Sequence, residues 1–388
     1  MKQKTKEQKL SPMRYIRNNK RRVSVLIVSL SLCLAIIYVT NFLIMSTNST
    51  CKKSWLDPYE RMCKIGVTLD LDGEEYRDMN EDELNEIWKE MYREFANKLD
   101  GAEDVIKAFP ASSTWINIKP PIAQTGYHIP MIEPEYADIL LDHMEAKLIE
   151  GRLPENPNEL VLDKATMLNN FFEVGETYGE GEYTITGMLD CDLYFGYGIM
   201  DAKLYNSIYI LTDKRVDDAT KYFPVIGREY DKENDYVMDY TTQTDDFKNY
   251  VENEMEAATK YIYIGIFVLL FISLFVVYTT YLRDRHNEWC LYCSIGYSRR
   301  SIYLSIIGEL LFTFVTAVLI GLVITALLVY ALDMIIMKPK GIACQYFYPD
   351  KITEVVCAFV LFFGLLQIPI RYALYKIRTI DAMEDDMY

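Results

Sequence analysis

The chain of 388 residues is 51% hydrophobic and 25% charged and carries a formal net charge of −16. These averages suit an acidic soluble protein, but the distribution of the apolar residues excludes that class. They are concentrated in four runs: Val23–Met45, Tyr261–Tyr281, Ile302–Leu332 and Val355–Tyr375. Each run has at least the roughly 20 residues that a helix needs to cross a membrane. No nucleic-acid partner is expected for this acidic chain.

The N-terminal segment, residues 1–22, is basic and precedes the first run. Within that run the only polar residues are Ser, Thr and Asn, which favours an uncleaved signal-anchor helix whose backbone hydrogen bonds are all internal. A cleaved signal peptide is the alternative. Against it, the run exceeds the usual length of about 7 to 15 residues, and no A-x-A cleavage pattern follows it.

Residues 46–259 predict one mixed α+β domain, which at about 210 residues is large enough to bury its own core. Strand-like and helix-like stretches alternate along it. The predicted strands are Lys64–Asp70, Ser113–Ile118, Glu159–Leu162, Glu182–Met188 and Ser207–Thr212. The predicted helices are Pro134–Lys147, Lys164–Phe172 and one that begins with a capping-box pattern at Asn80 and Glu83 and ends near Leu99.

This domain holds about 45 acidic against about 20 basic side chains, a surplus larger than that of the whole chain because the flanking segments are basic. A binding surface for a cationic ligand, such as an antimicrobial peptide, is one interpretation. An ordinary solvated acidic surface explains the same charge and is favoured.

The cysteines offer one candidate disulfide and one C-x-x-C pattern. Cys51 and Cys63 could close a short loop beside the membrane, on the side where disulfides persist. Cys290 and Cys293 lie between the second and third runs. Because no second cysteine or histidine pair stands at zinc spacing, two small residues one helical turn apart are favoured over a metal or redox site.

Asp245–Lys260 is helical in pattern and runs without Pro or Gly into the second apolar run. A continuous helix can carry movement between the membrane part and the outside domain, whereas a flexible linker would lose it. An ordinary juxtamembrane helix is the alternative.

The third run is longer than the membrane is thick, so its first turns are expected at or below the cytoplasmic surface. Glu309 falls near that boundary. Because a carboxylate in hydrocarbon is costly, we expect it to face a protein partner, another helix or water. Small residues on one side of this helix predict close helix packing: Thr316, Ala317, Gly321 and Ala326.

Lys and Arg in short flanking segments favour the cytoplasm. They are abundant before the first run, between the second and third runs, and after the fourth. Both termini are therefore expected in the cytoplasm and the large domain outside the cell membrane. Lys338, Lys340 and Lys351 oppose the rule, but the number of crossings puts their loop outside.

The expected fold class is an α-helical membrane protein with four transmembrane helices plus a mixed α+β extracytoplasmic domain. The expected segments are 1–22 (basic cytoplasmic helix), 23–45 (span one), 46–259 (outside domain), 260–282 (span two), 283–301 (cytoplasmic linker), 302–332 (span three), 333–354 (outside loop), 355–375 (span four) and 376–388 (cytoplasmic tail).

No common catalytic motif is present. The chain lacks G-x-x-x-x-G-K-[ST], so it is not expected to hydrolyse ATP by itself, and it lacks H-E-x-x-H and G-x-S-x-G. Its three histidines, His128, His143 and His286, are far apart in sequence. We therefore expect a non-catalytic membrane subunit with no metal and no cofactor of its own.

The cytoplasmic linker, from Arg283 to Ile302, predicts a short amphipathic helix that is broken at Gly296 and followed by a basic corner. It resembles the signature of FtsX/MacB-type ABC transporter permeases, E-x-x-x-L-x-x-x-G-x-x-[RK]-[RK]-x-I followed by a membrane-proximal Glu. Leu291 stands one position early, and Cys293 occupies a place that is commonly basic. The matching residues are Glu288, Gly296, Arg299, Arg300, Ile302 and Glu309.

Two further segments resemble the same family. Tyr15–Arg22 is similar to its N-terminal basic helix. Four stretches of the outside domain, in order, are similar to the MacB-like periplasmic core domain: Leu148–Arg152, Glu159–Leu162, Val174–Gly175 and Ile185–Gly187, with the motif residues Gly151, Arg152, Gly175 and Gly187.

The resemblance implies that the linker is a coupling helix that docks on a separate ABC ATPase, where ATP and magnesium bind. It also implies that two permeases, identical or related, pair through spans one and two. We therefore expect a permease subunit that exports or extracts a peptide, lipid or lipoprotein by mechanotransmission. The alternative is an ATPase-driven regulator of a cell-wall hydrolase or of antimicrobial-peptide sensing and resistance. A passive receptor would show no ATPase dependence.

Overall fold

The computed structural model describes residues 12–68, 79–179, 181–200, 205–342, 344, 346 and 349–376. The chain divides into two compact units. One, the helical unit, comprises Met1–Phe42, Ala258–Leu332 and Gln345–Tyr388, and the other, the α+β unit, comprises Leu43–Ala257 and Asp333–Cys344. Parts of four expected segments lie outside the described residues: 1–11 of the basic helix, 69–78 (with the end of the first predicted strand), 180 and 201–204 of the outside domain, 343, 345 and 347–348 of the outside loop, and 377–388 of the tail.

Long helices follow the apolar runs because a helix satisfies its own backbone hydrogen bonds in hydrocarbon. By length and composition, three helical stretches of the described chain can cross a membrane, and the fourth run provides a shorter apolar stretch, Val360–Tyr375. The count of four spans therefore stays a prediction. The helices are α1 (Pro12–Asn18), α2 (Lys20–Leu56), α8 (Asn253–Ser294), α9 (Arg299–Leu332) and α10 (Pro349–Lys376).

Two of the four small residues predicted to form a packing face on α9, Ala317 and Gly321, pack against α2, whereas Ala326 is exposed. Ala317 is buried, and its carbonyl accepts a hydrogen bond of 2.9 Å from Ser31 Oγ. A Cβ added to Gly321 would lie 3.3 Å from the backbone of Ser31 and from the Leu34 side chain. The absence of a side chain at position 321 thus sets how closely these two helices approach.

The α+β unit contains a mixed sheet whose strands follow the order β10-β1-β9-β2-β3-β8-β5-β7-β4, with β6 paired to β7. The five predicted strands are confirmed, Ser207–Thr212 with the predicted bounds and the other four with shifted ends. The strands are β1 (Met62–Gly66), β2 (Val105–Ile118), β3 (Thr125–Ile132), β4 (Lys147–Gly151), β5 (Glu159–Asp163), β6 (Thr177–Tyr178), β7 (Tyr183–Asp190), β8 (Gly196–Ile199), β9 (Ser207–Thr212) and β10 (Tyr236–Met238).

The predicted helices of this unit are also confirmed. Asn80 and Glu83 form a reciprocal capping box at the start of the first, and its buried Tyr92 packs into a core that includes Ile65 and Ile210. The predicted helix Pro134–Lys147 ends early because β4 begins at Lys147. The helices are α3 (Glu81–Leu99), α4 (Ala137–His143), α5 (Lys164–Asn170), α6 (Phe223–Ile226) and α7 (Tyr240–Asp246).

The helical run into α8 has no break. α7 is followed by a π-helical segment, Phe247–Glu252, and then directly by α8. The prediction of a continuous helix over Asp245–Lys260 is therefore confirmed, with a local widening of the helix that the sequence pattern does not show.

The segment after α9 belongs to the α+β unit. Asp333–Met337 forms a π-helical turn and Lys338–Lys340 a 3-10 turn. Lys338 Nζ lies 3.3 Å from the buried carboxylate of Asp333, and Asn169 Nδ2 of α5 donates a hydrogen bond of 3.3 Å to the Lys340 carbonyl. Two of the three lysines that oppose the charge rule, Lys338 and Lys340, thus lie in the unit with the large domain, whereas Lys351 lies in α10 of the helical unit.

The candidate disulfide between Cys51 and Cys63 is absent, because both thiols are free. α2 extends to Leu56 and holds Cys51 in a small apolar cluster with Leu56 and Phe247. Cys63 instead lies within β1 in the main core. The sequence suggested a short loop between the two cysteines, but helix and strand place their side chains in separate clusters.

Candidate functional site

The turn between α8 and α9 is a Schellman motif centred on Gly296. The N–H of Tyr297 donates to the carbonyl of Tyr292 at 3.0 Å, and the N–H of Gly296 donates to the carbonyl of Cys293 at 3.1 Å. Gly296 has φ +101°, a left-handed conformation that favours glycine. The rings of Tyr292 and Tyr297 meet edge to face, 6.0 Å apart, and complete the motif.

Ser298 starts the next helix at once. Its hydroxyl accepts a hydrogen bond of 3.3 Å from the N–H of Ser301, and its carbonyl accepts one of 3.2 Å from the N–H of Ile302. This is the capping role that serine fills at a helix N-terminus. The predicted break at Gly296 is thus confirmed, and both sides of the turn have defined geometry.

The turn presents a surface that is both apolar and basic, formed by Leu291, Ile295, Arg299 and Arg300. Leu291 is 58% exposed and Ile295 is 65% exposed. Leu291 is in the last turn of α8, and Ile295 directly follows the helix and donates its N–H to the Leu291 carbonyl at 3.0 Å, so the two side chains lie on the same side of the turn. Arg299 and Arg300, in the first turn of α9, are also exposed. We call these four residues the turn surface.

Below the turn surface lies a buried ion pair between Arg285 of α8 and Glu309 of α9. Arg285 Nη1 donates to Glu309 Oε2, and the two side chains are only 3% and 4% exposed. Tyr281 Oη donates to the same carboxylate at 3.3 Å and accepts from Arg285 Nη1 at 3.2 Å. The expectation that Glu309 faces another helix is confirmed.

Two more α8 residues complete the surroundings of Arg285. Its guanidinium lies 5.6 Å from the ring of Trp289, which is fully buried. Its Nε donates to Glu288 Oε2 at 3.3 Å. Glu288, a predicted docking residue, therefore makes a contact within the chain as well as being 39% exposed.

The C-x-x-C pair does not form a site with enough ligands for a metal. Cys290 Sγ lies 3.5 Å from His286 Nδ1. Among the residues that the structure describes, however, no three His, Cys, Asp or Glu side chains are grouped so that they could hold a metal ion.

The motif residues of the α+β unit meet around β4 and β7. Gly151 pairs with Gly187 across these strands, and a Cβ on Gly151 would lie 2.2 Å from the carbonyl oxygen of Thr186. Gly151 has φ +75°. Gly175 has φ +99° and donates its N–H to the Ile185 carbonyl at 2.7 Å. Gly151 and Gly187 allow a close backbone approach that a side chain would prevent, whereas Gly175 has open space around it and is favoured by its positive φ alone.

Arg152, directly after β4, forms an ion pair with Glu159 at the start of β5, and we call this ion pair the clasp. Its guanidinium binds both carboxylate oxygens of Glu159, at 2.5 and 2.8 Å. Glu159 also accepts hydrogen bonds from the N–H groups of Glu155 and Asn156, at 2.8 and 3.1 Å. Arg152, followed by these donors, holds the pKa of Glu159 well below the usual range of a glutamate. This part of the motif is a structural clasp.

Comparison with known families identifies the part of the chain that contains the turn. Residues 261–382 match the family model described as FtsX-like permease C-terminal. This part of the chain is an FtsX-like permease domain. The chain is thus a membrane protein with a permease domain and, before it, a large α+β domain. No curated protein sequence matches the chain.

Solved structures of other proteins resemble part of the chain. One is the periplasmic region of MacB from Actinobacillus actinomycetemcomitans, with 14% identity and a TM-score of 0.27, covering 50% of this chain and 95% of that one. Another is the extracellular domain of the noncanonic ABC-type transporter YknZ from Gram-positive bacteria, with 13% identity and a TM-score of 0.26, covering 46% and 100%.

Within the permease domain, sequence reasoning missed three residues of the buried ion-pair cluster. From the sequence, Arg285 is only one of the basic residues between the second and third runs, and neither Tyr281 nor Trp289 belongs to a recognised motif. The three residues stand at positions i, i+4 and i+8 and so lie on one face of α8. A cation on the same face as two aromatic residues was a signal that Arg285 is packed inside the protein.

Proposed function

We propose that this chain is the non-catalytic permease subunit of an ABC transporter and that its turn surface docks on a separate ATPase. The observation that carries the proposal is the exposure of Leu291, Ile295, Arg299 and Arg300 together on a structured turn. Apolar side chains pack into a cleft on a partner, while arginines add charge-assisted hydrogen bonds to its carboxylates. ATP and magnesium bind in that partner.

The ion pair beneath the turn surface supports a role in force transfer. Because Arg285 and Glu309 join α8 to α9 inside the protein, a push on the turn moves both helices together. The uninterrupted helical run over residues 240–294 then carries the displacement toward the α+β domain. The output is movement of that domain, which expels or extracts a peptide, lipid or lipoprotein.

The proposal includes a topology and a second permease. Four crossings, with α10 as the fourth, keep both termini and the turn surface on the cytoplasmic side. The α+β domain then lies on the opposite side, outside the cell membrane. The positions of Lys338 and Lys340 in the α+β unit agree with this topology. The partner permease is either a second copy of this chain or a related chain.

The first experiment is co-purification from the native membrane followed by an ATPase assay. The chain should retain an ABC ATPase, and reversing charge at both Arg299 and Arg300 to Glu should lower retention and ATP-dependent output. Arg17→Glu is the matched control, since Arg17 is an exposed cation in the basic helix before span one. Equal retention by all variants would refute docking through the turn.

A second experiment separates export from regulation. With an ATPase that binds but does not hydrolyse ATP, an exporter stops moving cargo out of the membrane or across the outer side. A regulator instead stops activating its partner enzyme or response while no cargo moves. Output that persists without any ATPase would refute both and indicate a passive receptor.

A further inference from the structure

An open cleft of about 420 Å³ lies beside α3 and the 3-10 turn Pro134–Tyr136, within the α+β unit. Its volume is in the range of small-molecule sites, which usually combine apolar side chains with a few convergent polar groups. Both kinds of side chain line this cleft. They are two cations of α3, two carboxylates at the turn and two buried side chains between β8 and β9: Lys89, Arg93, Glu133, Glu135, Met200 and Tyr205.

Lys89 and Arg93 place two positive charges side by side at the cleft. They stand four residues apart in α3 and so lie on one face of the helix, where like charges destabilise it slightly. Among the residues that the structure describes, Lys89 Nζ has one acceptor, Glu86 Oε1 at 3.4 Å, and Glu86 is 70% exposed. Such an exposed ion pair contributes little. Because the Lys89 side chain is only 20% exposed, an anion in the cleft would stabilise its charge.

The guanidinium of Arg93 is occupied on one side only. Its Nη2 donates to both carboxylate oxygens of Glu133, at 2.7 and 2.9 Å. Tyr205 Oη donates to Glu133 Oε1, so this carboxylate is held by two side chains. Within the described part of the chain, Arg93 Nε and Nη1 make no hydrogen bond. These donors therefore remain for a ligand, and Glu133 fixes their orientation.

We propose that the cleft binds the C-terminal residue of a peptide, with the terminal carboxylate between Lys89 and Arg93. Cationic donors form short, charge-assisted hydrogen bonds to a carboxylate, and these two side chains hold the unused donors. Glu135 is exposed at the same cleft and accepts the N–H of that residue, while Met200 offers an apolar contact to its side chain. A terminal carboxylate next to an amide N–H thus matches a lining that carries both signs of charge.

A fatty acid is the competing ligand, since it offers the same carboxylate. It has no N–H donor, however, and its alkyl chain would lie against the carboxylates of Glu133 and Glu135, whose desolvation is costly. The lining therefore favours a peptide. The inference rests on the proposed function in one respect, because it narrows the cargo named there to a peptide with a free C-terminus.

Isothermal titration calorimetry on the purified full chain in detergent, without ATPase or nucleotide, tests the cleft. The probes are acetyl-Ala-Ala-Leu with a free carboxylate, the same peptide with a C-terminal amide, and hexanoate. Lys89→Gln removes one cation of the cleft. Lys98→Gln is the matched control, because Lys98 is a 42% exposed cation of the same helix that pairs with Glu94 at 2.7 Å and does not line the cleft.

The free peptide should bind at least about tenfold more tightly than the amide, because the amide forms only neutral hydrogen bonds in place of charge-assisted ones. Lys89→Gln should weaken binding of the free peptide about tenfold, and Lys98→Gln should leave it unchanged. Equal affinities of the two peptides, binding of neither, or equal effects of the two substitutions would overturn the proposal. Hexanoate that binds as tightly as the free peptide would overturn it in favour of a fatty acid. Because no ATPase takes part, a negative result here does not bear on docking through the turn surface, so failure of this site and failure of the proposed function are distinguishable.

Discussion

The buried ion pair between Arg285 and Glu309 gives the sharpest energetic prediction. Both side chains are almost fully buried, at 3% and 4% exposure, so solvent does not screen either charge. Removing one partner of such a pair leaves a buried, uncompensated charge, which costs about 3–5 kcal/mol. Arg285→Met and Glu309→Leu should therefore each destabilise the helical unit by that amount.

The double variant separates the ion pair from ordinary packing. Replacing a buried pair by apolar residues of similar volume is often close to neutral. The variant with both substitutions should thus be more stable than either single variant, with a coupling energy of at least about 2 kcal/mol. Loss of helical circular dichroism during detergent-titrated unfolding of the purified chain measures all four proteins of the cycle.

Arg371→Met is the matched control for this cycle. Arg371 is exposed on α10 and contacts the Tyr303 hydroxyl at 3.3 Å, so the same substitution there should change stability by less than about 1 kcal/mol. Additive effects of the two single substitutions, or single effects as small as that of Arg371→Met, would refute the reasoning.

Three further substitutions follow from local geometry. Gly296→Ala should cost about 1 kcal/mol, because the left-handed turn strains an L-residue, and it should lower ATPase docking; docking and stability equal to wild type would contradict the assigned turn. Gly321→Leu should cost about 1–3 kcal/mol by overpacking against Ser31, seen in the same unfolding assay; no loss would mean that the two helices are not in close contact. The ion pair with Arg152 lowers the pKa of Glu159 in the folded protein below its ordinary value of 4.5. The ionised Glu159 therefore stabilises the fold above pH 4.5, and this stabilisation is lost as the pH falls through the lowered pKa of the folded state. Glu159→Gln should therefore be less stable than wild type at neutral pH, with the gap closing in acid, and a gap independent of pH would contradict it.

Local signals in the sequence predicted local structure well. The capping box at Asn80 and Glu83 and the break at Gly296 depend on a few neighbouring residues and were found. The small residues of span three predicted a packing face, and Ala317 and Gly321 use it. The sequence does not predict strand β8 because two of its four residues are glycines, which disfavour strands, and its strand conformation comes from pairing with β3 and β5.

Contacts between residues far apart in sequence were harder to predict from the sequence. The partner of Glu309 could have been any of several cations, and only the packing of α8 against α9 selects Arg285. The predicted disulfide is absent for the same reason. Cys51 and Cys63 are near in sequence, but Cys51 lies in α2 and Cys63 lies in β1, and the sequence alone does not show this. The pairing of strands that are far apart in sequence, such as β4 with β7 at Gly151 and Gly187, is likewise set by tertiary structure.

Photocrosslinking from position 295 tests the proposed ATPase contact most directly. With p-benzoylphenylalanine in place of Ile295, membranes that contain the ABC ATPase should yield a covalent adduct between the two chains. Ile272, which is 53% exposed within the apolar part of α8, should yield lipid adducts alone. An absence of ATPase adducts from position 295, or equal adducts from position 272, would contradict docking through the turn surface.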